Sequence, residues 1–148
     1  MSRKKIKLIL LALILVGAIV AVYIYKEVNR KPVDTASTKP DFVNTALFYL
    51  EEFQQLDSVA GKKYNDKLLQ VEGMVKEVSK NERGFYTVSL GDSSSMSSVR
   101  CSIDSASSNN ASELIKGSVV IIKGICSGYN ADELLGSDLI LVRCYINK

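Results

Sequence analysis

The residues of this 148-residue chain best suited to chemistry are three cysteines, Cys101, Cys126 and Cys144. Thiols act as nucleophiles, metal ligands or disulfide partners, and the groups around them decide among these roles. The chain contains no histidine. Neither a Cys–His pair nor a Ser-His-Asp system can therefore form, although serines crowd positions 93–98 and 105–112. The cysteines lie 25 and 18 residues apart, without the close C-x2-C pairing of a zinc site. Asp132 and Glu133 are sequence neighbours in a polar stretch, which suits solvation better than acid–base work and falls short of a calcium loop. This inventory predicts no catalytic residues, no metal, no cofactor and no enzyme activity. Burial or pairing is what remains for the thiols, and the compartment decides whether pairing is allowed.

The compartment follows from the N-terminal segment. Residues Ile6 to Tyr25 are apolar except for Lys7. At ~1.5 Å of rise per residue a helix of that length spans roughly 30 Å, the hydrocarbon thickness of a bilayer. A cleaved signal has a shorter apolar core, about 7–15 residues, ended by small residues. Here the run continues past Val16-Gly17-Ala18, so it reads as an uncleaved single-pass anchor. Arg3, Lys4, Lys5 and Lys7 precede the span; Lys26, Arg30 and Lys31 follow it. That balance and the short tail predict the N-terminus in the cytoplasm and the C-terminal part translocated. An oxidising compartment would then permit one disulfide.

The charge is divided unevenly. Residues 1–31 hold seven Lys or Arg and one acid, whereas residues 32–148 hold twelve Lys or Arg against fifteen Asp or Glu. The basic balance therefore belongs to the membrane flank. A mildly acidic remainder lacks the attraction that dominates nucleic-acid affinity, so nucleic acid is not the expected partner.

About 108 residues follow the linker, enough for one small domain. The pattern divides the chain into a tail (1–5), the membrane helix (6–25), a linker (26–40), an amphipathic helix (41–58) and a β-domain (66–147). The helix is expected to start at Pro40-Asp41 and to bury Phe42, Ala46, Tyr49 or Leu50, Phe53 and Leu56. From Leu68 the apolar period becomes two, and five strands follow: from Leu68, Phe85–Leu90, Val99–Ile103, Val119–Cys126 and Leu139–Ile146. A helical turn around Ser112–Lys116 lies between the third and fourth. Five short strands with that insertion are the ground plan of the OB-fold, a Greek-key barrel, with Gly73 expected to kink the first strand. The expected class is thus mainly β, a five-stranded barrel preceded by two helices.

Strand parity turns all three cysteines inward: Cys101 with Val99 and Ile103, Cys126 with Val120 and Ile122, Cys144 with Ile140 and Val142. In an OB barrel the fifth strand lies between the third and fourth. Cys144 can then meet either Cys101 or Cys126, or all three can serve as small buried hydrophobes. OB-folds bind along strands two and three, between the loops joining strands one to two and four to five. That surface would hold Lys80, Arg83, Phe85, Thr87, Arg100 and Tyr129, with Tyr129 in the loop Ser127–Asn130. One Phe, one Tyr and scattered cations fall short of the stacked aromatics on a basic groove that single strands require.

Several stretches resemble one family. Ala60-Gly61-Lys62-Lys63-Tyr64-Asn65-Asp66-Lys67 and Val71-Glu72-Gly73-Met74-Val75 are similar to the beginning of the tRNA-anticodon-like OB-fold domains of bacteria. Val99-Arg100-Cys101-Ser102-Ile103, Lys123-Gly124-Ile125-Cys126-Ser127-Gly128 and Leu141-Val142-Arg143-Cys144 are similar to their later strands. The resemblance covers roughly Asp41 to Ile146. It implies an OB barrel on a small protein with an N-terminal membrane or lipoprotein signal, and no particular reaction. The combined expectation is a binding or assembly module on the periplasmic side of a bacterial inner membrane, with envelope proteins, a peptide or a glycan as partner. The alternative is a membrane-tethered binder of single-stranded nucleic acid.

Overall fold

The structure is a computed structural model that describes residues 3–28, 34–132 and 134–147, with side chains described for 13–26 and from 34 onward. Two units are present, residues 1–33 and 34–148. Helix α1 runs from Arg3 to Val28 in the first. Its described apolar side chains, Leu13 to Tyr25, are exposed. Among the described residues no helix is long and apolar enough to cross a membrane. Side chains 6–12 of the expected span lie outside that set, as do residues 1–2, linker residues 29–33, and Glu133.

The second unit begins earlier than the sequence pattern predicts. Residues expected in a linker pack on the barrel: Thr35 is buried, and Lys123 Nζ donates to the Ala36 carbonyl at 3.3 Å. The amphipathic segment also starts differently. Phe42–Thr45 forms strand β1, and helix α2 spans Ala46–Tyr64. Asp41 holds this arrangement in place, because its backbone N–H donates to Leu68 O at 2.8 Å while its carboxylate accepts from Leu68 N–H at 2.9 Å. The Thr45 hydroxyl accepts from Phe48 N–H at 3.3 Å and caps the helix.

Ala46, Tyr49, Leu50, Phe53, Ala60 and Tyr64 form the buried stripe of α2. The helix is kinked at Leu56 (φ −142°, ψ 54°), and the phase change leaves Leu56 exposed, contrary to the periodic expectation. Glu52 bridges the kink, accepting from Lys63 Nζ at 2.7 Å and from Tyr64 Oη at 2.6 Å.

The barrel strands are β2 (Leu68–Lys80), β3 (Tyr86–Leu90), β4 (Ser98–Ile103), β5 (Val119–Asn130) and β6 (Asp138–Asn147). Their order is β1-β2-β3-β4-β6-β5, and pairing of β2 with β5 closes the ring. β4 and β6 are parallel, and the other barrel pairs are antiparallel. This is the expected five-strand order, with β1 added alongside β2 in parallel. Between β4 and β5 the helical insertion is a 3-10 turn, Ser105–Ser107, and helix α3, Ser108–Ser112. It lies before the predicted turn because Asp104 caps it, its carboxylate accepting from Ala106 N–H at 3.1 Å.

β2 serves two neighbours in turn, β5 through residues 68–74 and β3 through residues 75–80. The change of partner occurs at a bulge between Val75 and Glu77, not at Gly73. Gly73 has another role. A Cβ there would stand 2.9 Å from Ala46 Cβ and 3.2 Å from Leu90 Cβ. Its hydrogen is what lets α2 and β3 close against β2.

The core is continuous from the α2 stripe to Val71, Val75, Val88, Leu90, Val99, Ile122, Leu139 and Leu141. On β6 the parity differs from expectation. Leu139 and Leu141 face inward and Ile140 is exposed. A second register shift then returns Cys144 to the interior.

A polar cleft across β2, β3 and β4

A cleft of about 740 Å³ lies over the outward residues of β2, β3 and β4. Its polar lining is Lys76, Glu77, Ser89, Ser98, Arg100, Lys116 and Asp138. The register explains the placement of Lys76. Val75 pairs with Leu90 and Glu77 with Ser89, so Lys76 is the extra residue of the bulge, and such residues are re-aimed. Its ammonium donates to Ser95 O at 2.6 Å, Ser97 O at 2.9 Å and Ser98 Oγ at 2.9 Å. Three acceptors match its three protons.

The loop that Lys76 holds is locked from the other side as well. The Ser97 hydroxyl accepts from Gln54 Nε2 and from Ser137 N–H, each at 3.1 Å. Ser98 N–H donates to Ser137 O at 3.0 Å. Of the other two cations of the cleft, Arg100 is paired with Asp138 at 3.3 Å and Lys116 is exposed. Both side chains of the Arg100–Asp138 pair are partly solvated, so the pair is weak and open to exchange with a ligand. Two smaller clefts, about 430 and 440 Å³, flank Glu72 and Val119 on the β2–β5 side and are largely apolar.

The residues singled out from sequence separate into three places. Arg100 lines the cleft. Lys80, Arg83 and Phe85 belong to the hairpin between β2 and β3, where Asn81 Oδ1 accepts from Arg83 N–H at 3.0 Å and Phe85 N–H at 2.9 Å. Phe85 is 51% exposed there, and Lys80 Nζ lies 5.1 Å from the centre of the Tyr86 ring. Tyr129 is not in a loop. β5 continues to Asn130 past a register shift at Cys126–Gly128, and Tyr129 stacks on Phe53 with ring centres 5.0 Å apart. Its ring belongs to the packing under α2. Lys76 and Asp138 are cleft residues that the sequence reading missed. Nothing local marks them, because a bulge and a parallel strand bring them in.

The three thiols are buried and free. Cys126 Sγ donates to Asn65 Oδ1 at 3.6 Å, and burial pushes this thiol up to about 11. Burial, then the adjacent Cys101, holds Cys144 far above the ordinary thiol value. Both are protonated at neutral pH and are poor nucleophiles. Among the described residues no group of three or more Cys, Asp or Glu is gathered to hold a metal ion.

The model of the tRNA_anti-like family matches residues 1–146. Among solved structures, a candidate nucleic acid-binding lipoprotein from Klebsiella pneumoniae is similar at a TM-score of 0.54 and 19% identity, over 80% of this chain and 100% of that one. Asparaginyl-tRNA synthetase from Pyrococcus horikoshii is similar at a TM-score of 0.41 and 18% identity, over 58% of this chain and 21% of that one. At 19% identity the likeness to the Klebsiella structure speaks to the fold alone. No curated protein sequence matches.

Proposed function

The chain belongs to the tRNA_anti-like family, and from that premise we propose a non-enzymatic binding or assembly module tethered to the bacterial inner membrane. Helix α1 is the anchor, with the N-terminus in the cytoplasm and the barrel in the periplasm. The apolar run Ile6–Tyr25 with its basic flanks supports this. The cleft takes an extended polar ligand, a peptide segment or a glycan of an envelope partner. One observation carries the ligand class: two of the three cations lining the cleft, Lys76 and Arg100, are already engaged by oxygens of the protein, which leaves the exposed Lys116, and no aromatic ring is among its described lining residues. A polyanion needs several unpaired cations along its track, which Lys116 alone does not supply, and single-stranded bases need ring faces. A polymer offering both donors and acceptors can exchange with the Arg100–Asp138 pair.

The second reading, a tethered single-stranded nucleic-acid binder, is favoured by one feature. The β2–β3 hairpin presents Lys80, Arg83 and an exposed Phe85 together at its tip. The likeness to the Klebsiella lipoprotein agrees with that reading. Retention of the detergent-purified chain on single-stranded RNA and DNA across a salt series separates the two. The polar-ligand reading expects no retention even at low salt, and cross-linking in intact cells that captures envelope components. Salt-sensitive retention abolished by Lys80→Ala with Arg83→Ala would overturn it in favour of the second.

A further inference from the structure

We infer that Cys101 and Cys144 join in a disulfide when this chain folds in an oxidising compartment, and that Cys126 stays a free thiol. The compartment rests on the periplasmic placement proposed above; the choice of partners rests on the barrel. Cys101 points inward from β4, and β6 runs beside it in parallel. The register aligns Cys101 with Leu141 and Ile103 with Cys144, so β6 uses one residue more than β4 over this step. Arg143, within that step, has φ 52°. Without the extra residue the alternation from Leu139 and Leu141 would send Cys144 outward. With it, Cys144 shares the interior face with Cys101, and both are fully buried.

Gly124 supplies the room. A Cβ at Gly124 would lie 2.5 Å from Cys144 Sγ, so the sulfur occupies the space that a side chain on β5 would fill. Cys126 is turned elsewhere, its thiol directed at Asn65 beyond the end of α2. The Cys144 side chain is in hydrogen-bonding contact with Cys101, and closing the bond requires the two strands to draw slightly together at this step, because diagonal neighbours stand near the upper limit a disulfide spans.

Both sulfurs are sealed in the closed barrel, so the bond must form before closure. With glutathione disulfide as the oxidant, one thiolate of the pair attacks a glutathione sulfur, forming a mixed disulfide and releasing one glutathione thiolate. The second cysteine thiolate then attacks the bound protein sulfur and releases the other. Two electrons pass to the oxidant, and the protons of the two cysteines end on the two glutathione thiols. A folded barrel then shields the bond from reductants.

The test is peptide mapping of the full chain, purified in detergent with N-ethylmaleimide present from lysis and digested without reductant. The expected result is a Cys101–Cys144 linked peptide with Cys126 alkylated, unchanged in a Cys126→Ser variant. The same chain, reduced, unfolded in urea and refolded with glutathione disulfide, is expected to reach the same pair. This second arm is independent of address: a barrel found in the cytoplasm by protease accessibility would overturn the placement and leave the pairing to the refolding result. Three alkylated thiols after oxidative refolding, or a link through Cys126, would overturn the pairing.

Discussion

Under α2 the barrel is closed by rings. Phe53 stacks on Tyr129, and Tyr64 meets Phe42 and Tyr49 edge-on with ring centres 5.0 and 5.3 Å apart. Across β2, β3 and β4 the same barrel is open and polar, and two of its three cations, Lys76 and Arg100, are held by serine oxygens and by Asp138. The usual binding face of an OB-fold would hold Tyr129, as a loop residue, and Arg100 on one surface. The structure assigns one to the covered side and the other to the cleft. The difference shows that a polar tip on an aromatic ring says little about exposure when a helix can be laid over it. It also shows that a lysine or arginine in a cleft is not thereby available to a ligand.

The largest effect is expected on the covered side. Phe53→Ala removes a fully buried ring and should cost about 3–5 kcal/mol, read as a lower urea midpoint at unchanged slope. Tyr129→Ala should also lower stability. A Tyr129→Ala chain as stable as the parent but defective in ligand binding would return that ring to the cleft side of the comparison.

A smaller loss, about 1–3 kcal/mol, is expected from Lys76→Met, which leaves the oxygens of Ser95, Ser97 and Ser98 without their donor. Hydrogen exchange should rise first in residues 91–98. If exchange there is unchanged, the loop is held by Ser97 and Ser137 alone.

The pH dependence probes the bridge over the α2 kink. Burial raises the Glu52 carboxyl, but hydrogen bonds from Lys63 and Tyr64 outweigh it and leave the value below the ordinary 4.5. A carboxyl depressed in the folded state stabilises above its ordinary value, and the contribution is lost as pH falls through the depressed one. Stability should therefore decline below about pH 4.5, and Glu52→Gln should flatten that part of the curve. Identical acid profiles for parent and variant would remove Glu52 from the account.

The smallest stability change belongs to Arg100→Ala. An exposed pair contributes about 0–1 kcal/mol, so thermal unfolding should barely move while affinity for a cleft ligand falls. Phe85→Ser, on the hairpin, should alter neither. Loss of binding from Phe85→Ser with none from Arg100→Ala would transfer the site from the cleft to the tip.

Much of the barrel was legible in the sequence because alternation is a local signal. Leu69, Val71 and Val75 read as one face of a strand, and the five strands fall in the order expected. Phe42–Thr45 misled, since a four-residue alternation just before a helix also fits the first turn of that helix. Ser127-Gly128 misled as well. The pair has the composition of a turn, yet it sits at a bulge inside β5, where pairing with β6 resumes at Gly128 and Ile140. The Arg100–Asp138 pair had no local signal, because its partners are 38 residues apart and meet only where β4 and β6 run parallel.

The residue sequence by itself determined the apolar N-terminal run, the excess of acids over bases in the rest, the absence of histidine chemistry and the period-two strands. Each of these depends on residue types or on nearest neighbours along the chain. Tertiary structure alone decided which side of the barrel α2 covers, which lysine is bound to its own protein and which cysteine turns back toward Cys101. Each of those outcomes depends on a bulge or a crossover. A single extra residue in one strand reverses the facing of every side chain after it, and only the pairing of distant strands fixes where that residue falls.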